Sequence, residues 1–228
     1  MRTSDWILLI TTGLLCGVSY VLMRKDLKEY CSKQTDTGEL AADLTRSKVM
    51  VVFSVLMTLL TLGIAVTFGL IYKSNSFCFS LKRLSLLALI WPLAYIDYKT
   101  YRIPNRFVIL GLIYRGLILI LELFLEYNGV WSRLLMEVIA TAALLLAAFL
   151  CTLLMKNSIG FGDIKLFAVM GLMLGLRGIW SAIFLSLLFS FILSVILIIT
   201  KKKTRKDVIP FAPAIVFGTF LSVFLTGM

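Results

Sequence analysis

VMVVFSVLMTLLTLGIAVTFGLIY, residues 49–72, contains no charged side chain. About 20 apolar residues, each rising 1.5 Å in a helix, cross the roughly 30 Å hydrocarbon core of a bilayer. This stretch therefore reads as a transmembrane helix. Outward from it, similar apolar runs cover 6–23, 80–97, 107–125, 134–155, 164–176, 179–199 and 211–227. The run at 164–176 is short and is followed by Arg177 and Gly178, so a tilted or partly buried helix is expected there. The whole chain has 60% apolar and 15% charged residues, against about 45–50% and about 25% in soluble domains. Too few polar residues exist to cover a soluble surface. The expected fold is an all-α polytopic membrane protein of about eight transmembrane helices. Residues 1–23 form a retained first helix rather than a cleaved signal, because a basic leading region and a small-residue cleavage site are missing. Residues 24–48 form a short polar loop, and 49–228 form the membrane-embedded bundle.

A net charge of +11 suits a nucleic-acid binder or a membrane protein with basic cytoplasmic loops, and position separates the two. With eight spans, sixteen Lys and Arg fall in alternate loops. These are Arg24 to Lys48, then Lys99, Arg102 and Arg106, then Lys156 and Lys165, then Lys201 to Lys206. Six lie on the other side: Arg2, Lys73, Lys82, Arg83, Arg133 and Arg177. Such segregation is a topology signal, so no nucleic-acid partner is expected. The partner is the lipid bilayer of the cell (inner) membrane, both termini lie outside, and the four basic loops face the cytoplasm. Oligomeric state leaves no mark in the sequence. The KKKTRK run at 201–206 reads as part of the same signal.

The chain has no histidine. That excludes catalytic triads with an imidazole base, HExxH zinc sites and imidazole proton relays. Cys16, Cys31, Cys78 and Cys151 lack CxxC spacing, so neither a metal site nor a disulfide framework is expected, and no cofactor. Arg115 sits near the middle of a span, and an unpaired charge there is costly. A bundle-facing polar contact is expected for it. Glu122, seven residues on, is read as too far for a tight pair without an intervening partner. Gly171 and Gly175, with Ala140, Ala142 and Ala143, are read as positions of close helix approach.

Carboxylates are then the remaining acid–base groups. Asp5, Asp26, Glu29, Asp36, Glu39 and Asp43 precede the second span, where solvation explains them. Glu122, Glu126 and Glu137 flank the fourth and fifth spans on the predicted outer side, and Asp207 sits in a basic loop. Asp97 and Asp163 stand apart. Asp97 ends the third span in WPLAYIDYKTYRIPN, where Trp91, Tyr95, Tyr98 and Tyr101 read as interfacial aromatics and Pro104 delays the next helix. Asp163 lies in SIGFGDIKLF, where Gly160 and Gly162 free the backbone and Lys165 favours an ionised acid. Either acid alone reads as a solvated helix end. Together they share one depth at the cytoplasmic face, as a proton-sharing pair requires. Such a pair activates water against an amide, one carboxylate taking a proton while its protonated partner hydrogen-bonds the carbonyl. An ion or proton transporter is the competing reading of the same acids.

IDYKTYRIPN (96–105), GFGDIKLFAVMGLMLG (160–175) and IPFAPAIVFG (209–218) resemble the type IV prepilin peptidases, a family of GxGD membrane aspartyl proteases. The likeness runs from about residue 84 to the C-terminus. It implies that Asp97 and Asp163 are the catalytic pair, with Gly160, Gly162, Lys165, Pro104, Asn105, Pro210 and Pro213 shaping the site or meeting substrate. It also implies cleavage of a short basic leader from prepilin-like or preflagellin-like precursors at the cytoplasmic face. Bifunctional members carry paired zinc-binding CxxC motifs after the first span and also N-methylate the new terminus. Residues 24–48 hold only Cys31, so the resemblance is to a peptidase-only form. Single cysteines placed near residues 100 and 160 in a cysteine-free background should react with reagent applied from the cytoplasm. Labelling from outside alone would invert the topology.

Overall fold

The computed structural model describes residues 3–34, 48–154, 160–201 and 210–225. TDTG at 35–38, Lys156, Asp207 and all of KKKTRK except Lys201 lie outside the described residues. Every regular element described is a helix: α1 (Thr3–Gln34), α2 (Lys48–Leu70), α3 (Phe77–Thr100), α4 (Asn105–Leu125), α5 (Val130–Leu154), α6 (Phe161–Ile199) and α7 (Ala212–Leu225). Six of these are long and apolar enough to cross a membrane, and α7 is shorter. The fold is an all-α polytopic membrane protein.

α3 is the axis of the bundle. Ser76 caps its start, accepting the Phe79 N–H at 3.4 Å, and nearly every residue from Ser80 to Asp97 is buried. Helices α1, α2, α4, α6 and α7 all touch it. A helix covered on all sides gains packing on every face, which explains why its sequence is apolar without a polar stripe. Trp91 and Tyr95 belong to this core, packed on the Phe53 ring of α2. They are not interfacial anchors, as the sequence suggested; burial against α2 overrides the aromatic-belt pattern. Tyr98 and Tyr101 are exposed at the helix end. Exposed Val52, Leu59, Ile139, Phe184 and Phe191 form part of the apolar outer surface.

Two spans expected separately, 164–176 and 179–199, form one assigned helix, bent at Gly175, which has φ 66° and ψ −177°. This is a left-handed region that glycine enters at low cost. The contacts show that the chain reverses there. Before the bend, Lys165 meets Asn105, a Cβ on Gly111 would stand 2.6 Å from Val169, and Arg115 reaches the Leu172 carbonyl. The first leg thus runs alongside α4 in the same direction. After the bend, Ser181 meets Ser222, Ser186 donates to the Ile215 carbonyl, and Phe189 stacks on Phe217. The second leg is therefore antiparallel to α7. Both α7 and the first leg start at the Asp97 end, so α6 supplies two opposed segments. At 1.5 Å per residue, 161–174 extends only about 21 Å, short of a full crossing.

Small residues set how closely these legs pack. Gly171 lies against Thr141, whose Oγ1 would be 2.6 Å from an added Cβ, and Gly218 lies against Ser186. Ala140 is buried in the same seam. Ala142 and Ala143 are exposed on the opposite face of α5 and take no part, contrary to the sequence reading. α1 also runs past residue 23, because Met23, Leu27 and Cys31 recur at helical spacing and are all buried.

At the end remote from Asp97, four buried charges close on one another. Lys82 lies 2.8 Å from Glu122 and 2.5 Å from Glu137; Arg115 lies 3.2 Å from Glu122 and 2.5 Å from Glu137. Arg115 and Glu122 therefore pair directly, which corrects the expectation from their spacing. Seven residues are about 10.5 Å of helix, and the two long side chains reach along the same face to close the gap. Arg115 Nε also donates to the Leu172 carbonyl at 3.0 Å. That carbonyl belongs to the last turn of the first α6 leg, where helical partners run out. Arg115→Met should destabilise the protein by about 3–5 kcal/mol, because it leaves two buried carboxylates with one cation. Unfolding in detergent measures this; a loss below about 1 kcal/mol would show that the cluster does not carry the packing.

Candidate active site

Asp97 occupies the last turn of α3, where the helix dipole disfavours an anion. Tyr101 ends the helix in a left-handed conformation, φ 52° and ψ 35°, donating its N–H to the Asp97 carbonyl at 2.8 Å. The carboxyl is buried at 8% exposure. Its compensation comes from another helix: Asp97 Oδ2 accepts the Ala212 N–H at 3.1 Å. Ala212 is the first residue of α7, where N–H groups lack helical partners and the dipole favours an anion. Asp97 thus caps α7 from outside.

Asp163 is the third residue of α6. Gly160 is the N-cap, with φ −69° and ψ 141°, and its backbone N–H donates to the Asp163 carboxylate. An acid at this position reaching back to the cap is the acidic half of a capping box. Asp163 is half-buried, and the Asp97 carboxyl lies within electrostatic range of it. Two acids 66 residues apart in sequence are therefore brought within electrostatic range of each other at one end of the bundle.

The turn from α3 to α4 closes one side of this arrangement. Pro104 caps α4 with extended backbone, and Ile103 packs so closely that its Cβ would be 3.0 Å from a Cβ on Gly162. Gly160 and Gly162 both have ordinary backbone angles. Neither uses the backbone freedom the sequence suggested; Gly162 provides space for Ile103, whereas a Cβ on Gly160 would sit at an ordinary 3.4 Å from Asp163. Lys165 donates to Asn105 Oδ1 at 2.9 Å, so its ammonium ties α6 to α4 and is engaged away from the acids. Pro210 is half-buried in the approach to α7, and Pro213 stands in the first turn, where its missing N–H costs nothing. Ala212 and Ile103 carry no signal of their own in the sequence. One acts through its backbone and the other through shape. Among the described residues no three His, Cys, Asp or Glu side chains are placed to hold a metal ion.

The sequence model of the type IV leader peptidase family matches residues 84–199, just over half of the chain, including both acids. The chain belongs to that family. A leader peptidase family member is also what similarity to an individual protein indicates. The chain is 31% identical over 137 residues to a prepilin leader peptidase/N-methyltransferase of Bacillus subtilis (strain 168), covering 60% of this chain and 52% of that protein. The chain thus matches about half the length of its curated relative. No solved structure matches it. In this family member, Gly162→Leu should cost about 1–3 kcal/mol by overpacking against Ile103. Adding Ile103→Ala should recover part of that loss in thermal unfolding. Two additive penalties would mean that the contact is not shared.

Proposed function

We propose that this chain is a membrane-embedded aspartic endopeptidase that removes the short N-terminal leader from prepilin-like or preflagellin-like precursors. The observation that supports this most is the convergence of Asp97 and Asp163 at one end of the bundle within the family-matched segment. In the proposed reaction the pair holds one proton. The ionised carboxylate takes a proton from water, and the resulting hydroxide forms a bond to the scissile carbonyl carbon. The protonated partner donates to the carbonyl oxygen. Collapse of the tetrahedral diol breaks the C–N bond, the proton taken from water passes to the leaving amine, and one diol hydroxyl returns its proton to the second acid as the carboxyl product forms. No group beyond the two acids and water is required to balance these steps.

The location follows from the loop charges. Basic loops at the Asp97 end support a location of the pair at the cytoplasmic face of the cell membrane, with both termini outside. A precursor would lay its apolar segment against the bundle and present its leader at that face. Gly160 lies against the Asp163 carboxylate and would meet a substrate backbone there, Gly162 lets Ile103 pack beside it, and Pro210 and Pro213 shape the opposite wall through α7. The lack of paired CxxC motifs in 24–48 is consistent with a peptidase-only form.

Asp97→Asn and Asp163→Asn each preserve side-chain shape but remove an ionisable group. Each should reduce precursor cleavage in proteoliposomes by at least about 10³-fold, the scale expected on losing an acid–base group, while insertion is retained. Processing at the parental rate by either variant would overturn the mechanism. Ion flux into the same vesicles that depends on these acids would favour a transporter instead.

A further inference from the structure

At the end of the bundle remote from Asp97, a cavity of about 820 Å³ opens between the start of α3, the start of α5 and the bend of α6. Lys82, Arg83, Arg133 and Arg177 line it. Among the described residues that line it, Glu137 is the single acid. Lys82 and Arg115 share Glu122 and Glu137, so that cluster is neutral in itself, and Arg133 meets Glu126 at 2.8 Å. Arg83 and Arg177 add two further positive charges to the wall. A cleft with low-dielectric walls and an excess of one sign concentrates the opposite charge.

Arg83 is 5% exposed and is held in place by its neighbours. Its guanidinium lies 4.0 Å from the centre of the Phe79 ring, and one of its terminal nitrogens would stand 3.7 Å from a Cβ on Gly178. Stacking fixes the planar fork, which matches the oxygens of a phosphate. Arg177 is exposed and belongs to the first turn after Gly175, where the second leg of α6 begins. The positive end of that leg's dipole therefore lies at the same cavity. Tryptophan marks the depth. Three of the four in the chain, Trp6, Trp131 and Trp180, are exposed, and all three lie at this end of the bundle. Exposed rings of this kind sit among lipid headgroups. Trp131 precedes Arg133 by two residues and Trp180 follows Arg177 by three, so the cations of the cavity stand at headgroup level. Met136, Met173 and Leu176 supply an apolar wall beside them, as an acyl chain leaving a headgroup requires.

We propose that this cavity binds the phosphate of an anionic phospholipid from the leaflet on that side, with Arg83 and Arg177 as its principal ligands. The lipid joins α3 to the second leg of α6 across the bend at Gly175. The site lies at the opposite end of the bundle from the acid pair, and the inference stands independently of the peptidase reading.

The test titrates phosphatidylglycerol into the full chain in neutral detergent and follows one-to-one adducts by native mass spectrometry, with phosphatidylcholine and inorganic phosphate as comparison probes. Phosphatidylglycerol should bind at least about tenfold more tightly than phosphatidylcholine, because two cations meet a net charge on the lipid. Arg177→Gln and Arg83→Gln should each weaken phosphatidylglycerol binding about fivefold, the worth of one cation at a lipid surface. Lys99→Gln, which removes an exposed cation at the opposite end, should leave binding at the parental affinity. Equal affinity for the two lipids would overturn the site. So would an equal loss in Lys99→Gln, since that marks attraction to the surface as a whole. Saturation by inorganic phosphate with no phosphatidylglycerol adduct would overturn the lipid assignment. If Arg83→Gln does not fold, Arg177→Gln, at an exposed position, decides alone, and parental affinity in that variant overturns the proposal.

Discussion

Inside an apolar medium a polar group must find its partner within the protein, and the contact of Arg115 with the Leu172 carbonyl is where this constraint organises the bundle. The first leg of α6 is too short to carry its last carbonyls into the headgroups, so a side chain has to meet them. Arg115 does so, and its own charge is answered by Glu122 and Glu137, which in turn hold Lys82. Three helices are thereby tied to the far end of the leg whose near end bears Asp163. Gly175 completes the arrangement, since only there does the chain turn back as α7's antiparallel neighbour.

The opposite end solves the same problem with fewer charges. Asp97 at the end of α3 and Ala212 at the start of α7 each lack a partner of their own, and one hydrogen bond answers both. Asp163 answers the Gly160 N–H in the same manner within α6. Both acids therefore stabilise helix starts as well as standing ready for the proposed chemistry. This double use explains how carboxyls survive burial here with no cation paired to them among the described residues. Lys165, the obvious candidate for that cation, is committed to Asn105.

Side chains on α1 that look merely solvated in sequence find a partner in Arg106 of α4. Asp26 and Glu29 lie on the part of the helix that continues beyond the apolar run, and the fold brings them beside the α3–α4 turn.

The sequence by itself determined the class of molecule and the chemistry available to it. Long uncharged runs set the helices, the absence of histidine left carboxylates, and two motifs marked Asp97 and Asp163, because composition and local spacing are properties a linear chain displays. The pairing of Arg115 with Glu122, the burial of Trp91 and Tyr95, the commitment of Lys165 to Asn105, and the use of Ala212 and Ile103 came only with tertiary structure. Each depends on a partner distant along the chain, a side chain's reach, a backbone N–H that every residue shares, or a clearance set by packing. Local pattern carries no record of these. The reversal at Gly175 sits between the two: a charge and glycines after a short apolar run hinted at a break, but only contacts with α4 and α7 fixed the direction of each leg.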